Sequence, residues 1–171
     1  GNGDYSGHVR VYTVVGDTWQ QLGRDIDGEA AFDYSGWSVS MSADGNTLAI
    51  GARWNDDNGS ASGHVRIYTV VVSEWQKLGQ DIDGEAALDY SGRSVSLSAD
   101  GTTVAIGAPY NDGNGDGSGH VRVYHLDDSG SSPSWIQVGN DIDGATVGDN
   151  AGYSVSLSSD GKSVAVGSPY N

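Results

Sequence analysis

The sequence predicts an all-β protein made of β-propeller-type blades, each a four-stranded antiparallel meander. The first observation is repetition, because two unusual strings, Gly-His-Val-Arg and Asp-Ile-Asp-Gly, each occur three times, about 56 residues apart. They begin at Gly7, Gly63 and Gly119 and at Asp25, Asp81 and Asp141. The second observation is composition: 27 of the 171 residues are glycine without a Gly-X-Y period, which indicates many turns between short strands.

The first two strands of each unit are predicted from alternation and a turn. A Ser-Val-Ser string at Ser38, Ser94 and Ser154 alternates small polar and apolar residues, as a β-strand does. Small side chains suit the crowded strand nearest a propeller axis. An Asp-Gly turn at 43–46 then supplies the positive φ of a hairpin, and residues 47–52 form the second strand.

The third and fourth strands follow a loop rich in Asn, Asp and Gly. The loop covers residues 55–63, the third strand covers 64–68, and the fourth begins at Trp75. Tryptophan occurs at this repeat position in every unit, where its large side chain is expected to fill the core between adjacent blades. The three residues are Trp19, Trp75 and Trp135.

The chain ends divide one blade into two halves. Residues 1–35 contain a third and a fourth strand, residues 152–171 contain a first and a second strand, and 36–91 and 92–151 are whole blades. Three blade equivalents are too few for the usual propeller of four to eight, and the split blade leaves unpaired sheet edges. The last residues of the chain match a repeat segment whose continuation matches the first residues, so the sequence at the end of one copy would continue as the start of another. We therefore expect units to join head to tail, with other copies or neighbouring repeats, as a ring or a filament.

Charge limits the classes of partner. Eight Lys and Arg residues against 23 Asp and Glu residues give a formal charge of −15, which opposes binding to nucleic acid or to anionic membranes. No apolar run reaches the roughly 20 residues of a membrane helix, so no membrane insertion is expected. The absence of cysteine excludes disulfides and thiol chemistry. A protein ligand, a neutral glycan or a cation remains a candidate partner.

Three consecutive segments carry a family resemblance. Residues 91–97, 104–109 and 118–124, with a Gly-Ala-Pro string and a Gly-x-Val-x-Val-Tyr strand, resemble the FG-GAP repeat, the blade unit of the integrin α-subunit propeller. The units also resemble Trp-x-Gln-x-Gly-x-Asp-Ile-Asp-Gly repeats of surface and secreted proteins of marine microbes and algae. The resemblance implies a propeller fold, an extracellular or cell-surface location and an adhesive or structural role.

The calcium site that the resemblance implies does not transfer. FG-GAP blades commonly carry a calcium loop of several Asp and Asn residues between their first two strands. The corresponding turns of this chain each contain one acidic residue, at Asp44, Asp100 and Asp160. A single carboxylate cannot supply the six to eight oxygens that Ca²⁺ requires.

Two other segments keep Ca²⁺ as a candidate cofactor. In the Asp-Ile-Asp-Gly segment, alternate carboxylates beside a glycine resemble part of a calcium loop, or form a strand end in which Asp caps backbone donors. The long loop at 111–116, with a counterpart at 55–58, is a second calcium candidate or a flexible acidic loop. The candidate ligands are Asp25, Asp27, Glu29, Asp33, Asp81, Asp83, Glu85, Asp89, Asp112, Asn114 and Asp116.

The repeated histidines favour a structural role. His8, His64 and His120 each precede an arginine by two residues, and we expect His or Arg to pair with an Asp of the next blade. Metal binding needs several ligands at one point, whereas residues one blade apart diverge. Asn58 begins an Asn-Gly-Ser sequon in a predicted exposed loop and is a candidate N-glycosylation site.

The function hypotheses follow from repetition. No nucleophile elbow, phosphate loop or His-Glu-x-x-His string occurs, and the carboxylates recur in every unit, so we expect no enzyme. The leading hypothesis is an extracellular structural or adhesive repeat module, joined head to tail in a longer array or filament. The alternative is a ligand-binding propeller that recognises a protein or glycan, with or without Ca²⁺. A carbohydrate-active enzyme is the third hypothesis.

Overall fold

The structure, a computed structural model, describes residues 2–170. Gly1 and Asn171, where one copy was predicted to read into the next, lie outside the described residues. All regular structure between residues 2 and 170 is β-strand, which confirms the predicted fold class. This range contains no helix long and apolar enough to cross a membrane.

Short strands follow one another in the order of the repeat. The first half-blade contains β1 (His8–Val9), β2 (Tyr12–Val15), β3 (Thr18–Gln21) and β4 (Ile26–Asp27). The first whole blade contains β5 (Ser38–Met41), β6 (Thr47–Ala52), β7 (His64–Val71), β8 (Glu74–Lys77) and β9 (Ile82–Asp83). The second contains β10 (Ser94–Leu97), β11 (Thr103–Ala108), β12 (His120–Asp127), β13 (Ser134–Gln137) and β14 (Ile142–Asp143). The last half-blade contains β15 (Ser154–Leu157) and β16 (Val164–Gly167).

Each whole blade is the predicted antiparallel meander with one addition. The order is β5-β6-β7-β8 in the first blade and β10-β11-β12-β13 in the second. The predicted fourth strand breaks after β8, which pairs with the second half of β7, and continues as β9, which pairs with the start of β7. The break allows Gly79, with φ of 80°, to turn the chain beside the neighbouring blade.

The two half-blades stay apart and leave open edges. At the start of the chain β1 pairs with β4 and β2 with β3, and at the end β15 pairs with β16. In a whole blade the second strand also pairs with the third, as β6 does with β7. No such partner for β16 or β2 exists within residues 2–170, so the sheet is not closed.

The apolar core lies between blades. One cluster joins Ile67 of β7 to Leu97 of β10 and Ile106 of β11, and a second joins Val11 of the first half-blade to Ile50 of β6. The first strands of successive blades lie side by side, because the backbone N–H of Leu97 donates to Ser40 Oγ at 2.9 Å. Small serines in these strands permit that close approach. Packing between neighbouring blades therefore contributes to the stability of each blade.

Candidate functional sites

Tryptophan marks each boundary between blades. The indole N–H of Trp75 donates to the carbonyl of Leu22 at 3.0 Å, and that of Trp135 donates to the carbonyl of Leu78 at 2.8 Å. In both cases the acceptor belongs to the preceding blade. Trp135 is only 3% exposed, whereas Trp19, which has no preceding blade between residues 2 and 170, is 71% exposed.

A glycine next to each acceptor carbonyl makes room for the indole ring. A Cβ atom at Gly23 would lie 3.0 Å from Cδ1 of Trp75, and one at Gly79 would lie 2.9 Å from Cδ1 of Trp135. The third copy of this position, Gly139, has the same left-handed φ of 72°, but no atom lies within 4 Å of its Cβ position. The chain therefore presents an exposed tryptophan at one end and an open tryptophan-binding position at the other.

The Asp-Ile-Asp-Gly carboxylates form local contacts. Asp25 accepts hydrogen bonds from Arg10 at 2.8 Å and from Gln21 at 2.8 Å, which together lower the pKa of its carboxyl to about 2. The repeat-equivalent Asp81 binds Lys77 at 2.9 Å. Asp141 accepts from Gln137 at 2.6 Å.

The second aspartate of the Asp-Ile-Asp-Gly segment accepts a hydrogen bond through its backbone carbonyl. A guanidinium N–H of Arg66 donates to the carbonyl of Asp27 at 3.0 Å, and one of Arg122 donates to that of Asp83 at 2.6 Å. The same arginines approach the carboxylates of the preceding blade, Arg66 with Glu29 at 3.1 Å. In the two whole blades the repeated arginine thus pairs with the preceding blade, through a Glu and a carbonyl, and not with an Asp of the next blade as expected.

Four further calcium candidates form hydrogen bonds with backbone groups. Asp33 Oδ2 accepts from the N–H of Ala30, and Asp89 Oδ2 accepts from the N–H of Ala86, both at 3.0 Å. Asp112 Oδ1 accepts from the N–H of Gly117 at 2.8 Å. The amide of Asn114 donates to the carbonyl of Gly144 at 2.8 Å.

The sequon residue Asn58 is exposed, as predicted for its loop. Its amide nitrogen donates to the carbonyl of Gly84 at 2.8 Å and to that of Glu85 at 3.2 Å. An N-linked glycan would replace one of these two N–H donors.

The turns that correspond to the family's calcium loop do not fit a Ca²⁺ ion. Asp44 Oδ1 accepts from Ser42 Oγ at 2.6 Å and from the N–H of Asn46 at 3.0 Å, and the hydrogen bond from Ser42 is the main reason that its pKa is lowered. Asp100 repeats this arrangement. Each turn offers one carboxylate that is already occupied by its own hairpin.

Two mixed clusters of histidine and carboxylates lie between blades. His64 lies with Glu29 and Asp57, and the equivalent His120 lies with Glu85 and Asp141, with one ligand-type atom of each residue within 4.8 Å of the others. Both imidazoles are about 1% exposed, and burial lowers the pKa of each, assisted by Arg66 or Arg122. Neutral imidazole is the form that binds transition metals, but the adjacent guanidinium already pairs with the glutamate of each cluster.

An aromatic face covers the loops on one side of the blades. Its rings contact one another in series, from Tyr5 to Tyr34 at 5.5 Å between centroids, from Trp54 to Tyr90 at 5.0 Å, and from Tyr90 to Tyr110 at 5.2 Å. We define the aromatic face as Tyr5, Phe32, Tyr34, Trp37, Trp54, Tyr90 and Tyr110. Exposed aromatic surface on this scale is typical of a binding surface.

Two arginines lie on the aromatic face without a carboxylate partner. The guanidinium carbon of Arg53 is 3.5 Å from the ring centroid of Trp37, and that of Arg93 is 4.2 Å from the ring centroid of Tyr153. Within residues 2–170 neither arginine forms an ion pair. Burial lowers the pKa of Arg53, and the positive charge of Arg93 lowers it further. Cation–π contact stabilises these charges in place of a counter-ion.

A groove of about 530 Å³ opens on this face between the loops of the two whole blades. Its aromatic wall consists of Trp54, Tyr90 and Tyr110, and its polar groups come from Arg53, Asp112 and Asp116. Of these residues, Asp112 and Asp116 were calcium candidates. No local string marks the other groove residues, because they lie in separate loops that only the fold brings together.

The four-stranded blades and the tryptophans at their boundaries define a β-propeller-type repeat protein. The FG-GAP repeat profile matches residues 26–68 and 70–124, and the chain belongs to the FG-GAP repeat family. A comparison with curated proteins finds no significant match. Among solved structures, the periplasmic gluconolactonase of Pseudomonas aeruginosa is similar with a TM-score of 0.53 and 18% identity over 92% of this chain. The match covers 42% of that protein, so this chain spans less than half of its length, and the likeness shows the fold alone.

Proposed function

We propose that this chain is an extracellular or cell-surface structural module whose units join head to tail through the two halves of a split blade. The observation that carries the proposal is the match between Trp19, which is 71% exposed, and the open position at Gly139. Trp75 and Trp135 fill this position at the two internal boundaries. A third contact of the same kind would bury Trp19 against the carbonyl of Val138.

The exposed apolar surface of the first half-blade supports the same contact. Tyr12 is 49% exposed, whereas its repeat equivalents Tyr68 and Tyr124 are each 8% exposed. Val39 in the first whole blade is 53% exposed, whereas Val95 at the same position of the next blade is 9% exposed. These residues lack only the neighbour that their counterparts have. Burial of this surface is the expected driving force for joining.

The internal blades also define how the split blade would pair. Ile50 of β6 lies opposite Arg66 of β7, and the same register places Val166 of one unit opposite Arg10 of the next. Such a contact is heterologous, so repetition gives a ring if the rotation closes and a filament if it does not. Two copies would supply about six blades, within the usual range of closed propellers.

Assembly of the 171-residue chain tests the proposal. Sedimentation velocity over a concentration series is expected to show association of the wild type and its loss in Trp19→Ala, whereas Trp54→Ala, which removes an exposed tryptophan elsewhere, should associate normally. Negative-stain electron microscopy then separates fibres from closed discs. A wild type that sediments as a monomer at every concentration, with Trp19→Ala indistinguishable from it, would overturn head-to-tail joining.

A further inference from the structure

The aromatic face occupies backbone positions that do not favour aromatic residues. Tyr34 and Tyr90 have φ of 54° and 53°, in the left-handed region, and the third unit has Asn150 there with φ of 54°. Asparagine tolerates this region, whereas a bulky side chain in it is disfavoured by roughly 1–2 kcal/mol. The fold therefore accepts tyrosine at these positions but does not require it.

A second left-handed position holds a large apolar residue in two units and a glycine in the third. Phe32 and Leu88 have φ of 71° and 70°, whereas the third unit has Gly148 with φ of 80°. Phe32 is 56% exposed and Leu88 is 55% exposed, so burial within this chain does not offset the backbone strain of either residue. Backbone strain and apolar exposure that coincide on one face indicate a ligand site.

We propose that the groove between Trp54 and Tyr110 binds pyranose rings of a glycan. Trp54 is 39% exposed and Tyr110 is 42% exposed, and both offer ring faces on which the C–H groups of a sugar can stack. Tyr90 lies between them, edge-on to each ring, at 5.0 and 5.2 Å between centroids. The groove volume of about 530 Å³ is in the range of small-ligand sites.

The polar groups of the groove match sugar hydroxyls. Arg53 supplies guanidinium N–H donors, and its Nε is buried without a hydrogen-bond partner within residues 2–170. Asp116 supplies carboxylate acceptors that accept no hydrogen bond within that range, and Asp112, whose Oδ1 accepts from the N–H of Gly117, also lines the groove. A hydroxyl both donates and accepts, so a pyranose can satisfy the arginine and the aspartates together.

A proline-rich peptide is the competing occupant of an aromatic groove. Its backbone offers carbonyl acceptors and few donors, so it would leave the carboxylate of Asp116 without a donor. A sugar with its own carboxylate or sulfate would interact with Arg53 and Arg93 but would be repelled by the two aspartates. The pyranose ring is common to neutral and acidic glycans, and the test separates these sources.

Glycan binding is tested with the folded wild-type chain and defined oligosaccharides. Calorimetry and saturation-transfer NMR are run with neutral hexose oligomers, N-acetylhexosamine oligomers, uronic acid oligomers and sulfated oligomers, and with a proline-rich peptide as the comparison ligand. We expect at least one pyranose series to bind, with affinity that rises with the number of sugar units. Binding to no oligosaccharide in these series, or to the peptide alone, would overturn the proposal.

Matched variants locate the bound sugar. Trp54→Ala and Asp116→Asn are expected to weaken binding about tenfold or more, because aromatic and charged residues at the centre of a site dominate affinity. Trp19→Ala removes an exposed tryptophan far from the groove and should leave sugar affinity unchanged while abolishing assembly. Unchanged melting temperatures verify that each variant folds. Sugar binding that Trp19→Ala weakens and Trp54→Ala does not would place the ligand elsewhere and overturn the assignment.

Discussion

The indole N–H of Trp135 donates a 2.8 Å hydrogen bond to the backbone carbonyl of Leu78 in the preceding blade. The ring rests on Gly79, and Gly139 is the equivalent glycine with open space above it. We expect Gly79→Ala to destabilise the fold by about 2–4 kcal/mol, because the new methyl group meets Trp135 as well as the strain of a left-handed φ. Gly139→Ala should cost only about 1 kcal/mol but should weaken assembly. Urea unfolding and sedimentation measure the two effects, and equal losses of stability would contradict the packing argument.

Substitution of Asp89 distinguishes a role of its carboxylate in capping the backbone from a role in binding Ca²⁺. Its Oδ2 accepts from the N–H of Ala86 at 3.0 Å and from the amide of Asn111 at 2.9 Å, and the residue is 3% exposed. We expect Asp89→Ala to cost about 2–3 kcal/mol, because the buried amide of Asn111 and the backbone N–H of Ala86 both lose their acceptor. The loss should be the same in excess Ca²⁺ and in excess chelator. A melting temperature that rises with Ca²⁺ in the wild type, and does not in Asp89→Ala, would identify Asp89 as a calcium ligand.

The sequence predicts contacts that are local in the chain better than contacts between blades. The hairpin at Asp44 and the boundary position of Trp75 follow from local strings that recur in each unit. The pairing of Arg66 with Glu29 was not predicted, because which neighbouring blade an arginine meets depends on blade stacking and not on spacing. The aromatic face was not predicted, although Tyr34 and Tyr90 hold the same repeat position, because only folding brings together the loops that carry its rings.

Burial of two histidines predicts loss of stability in mild acid. The pKa of His64 and His120 is lowered from 6.5, first by burial and then by Arg66 or Arg122, while Asp81, Glu29 and Asp57 oppose the shift at His64. Above pH 6.5 both imidazoles are neutral in the folded and unfolded chain. As the pH falls below 6.5 the unfolded chain binds protons first, so stability is lost at up to about 1.4 kcal/mol per pH unit for each histidine.

Urea unfolding between pH 7.5 and 5.5 checks this dependence, with Trp19→Ala as the background so that assembly does not contribute. His120→Gln should reduce the slope of stability against pH. His64→Gln should also reduce the slope, because burial lowers the pKa of this imidazole as well. A slope that neither substitution alters would assign the acid sensitivity to the carboxylates.

The left-handed positions of the aromatic face predict a gain in stability on substitution. Leu88, with φ of 70°, and Gly148, with φ of 80°, are repeat equivalents, and Leu88 is 55% exposed. Leu88→Gly should stabilise the chain by about 0.5–1 kcal/mol, since relief of strain exceeds the added entropy of the unfolded chain. The reverse change, Gly148→Leu, should destabilise by a similar amount. Chemical denaturation measures both, and destabilisation by Leu88→Gly would show that its side chain packs usefully.

Engineered cysteines test the register of the split blade directly, because the chain has no cysteine of its own. Leu48 lies opposite Tyr68, and Ile50 lies opposite Arg66. The equivalent pair across two copies is Val166 with Arg10, whose Cβ atoms would be about 4.5–5.5 Å apart, near the reach of a disulfide. A mixture of Val166→Cys and Arg10→Cys chains is expected to form a cross-linked dimer under mild oxidation.

The matched control shifts the cysteine by one residue. Ala165→Cys mixed with Arg10→Cys should cross-link poorly, since successive residues of a strand point to opposite faces of the sheet. Non-reducing electrophoresis measures the yield, and peptide mapping identifies the bond. Equal yields from the two mixtures would indicate random collision, whereas a higher yield from Ala165→Cys would mean that the halves join in a register that differs from that of the internal blades.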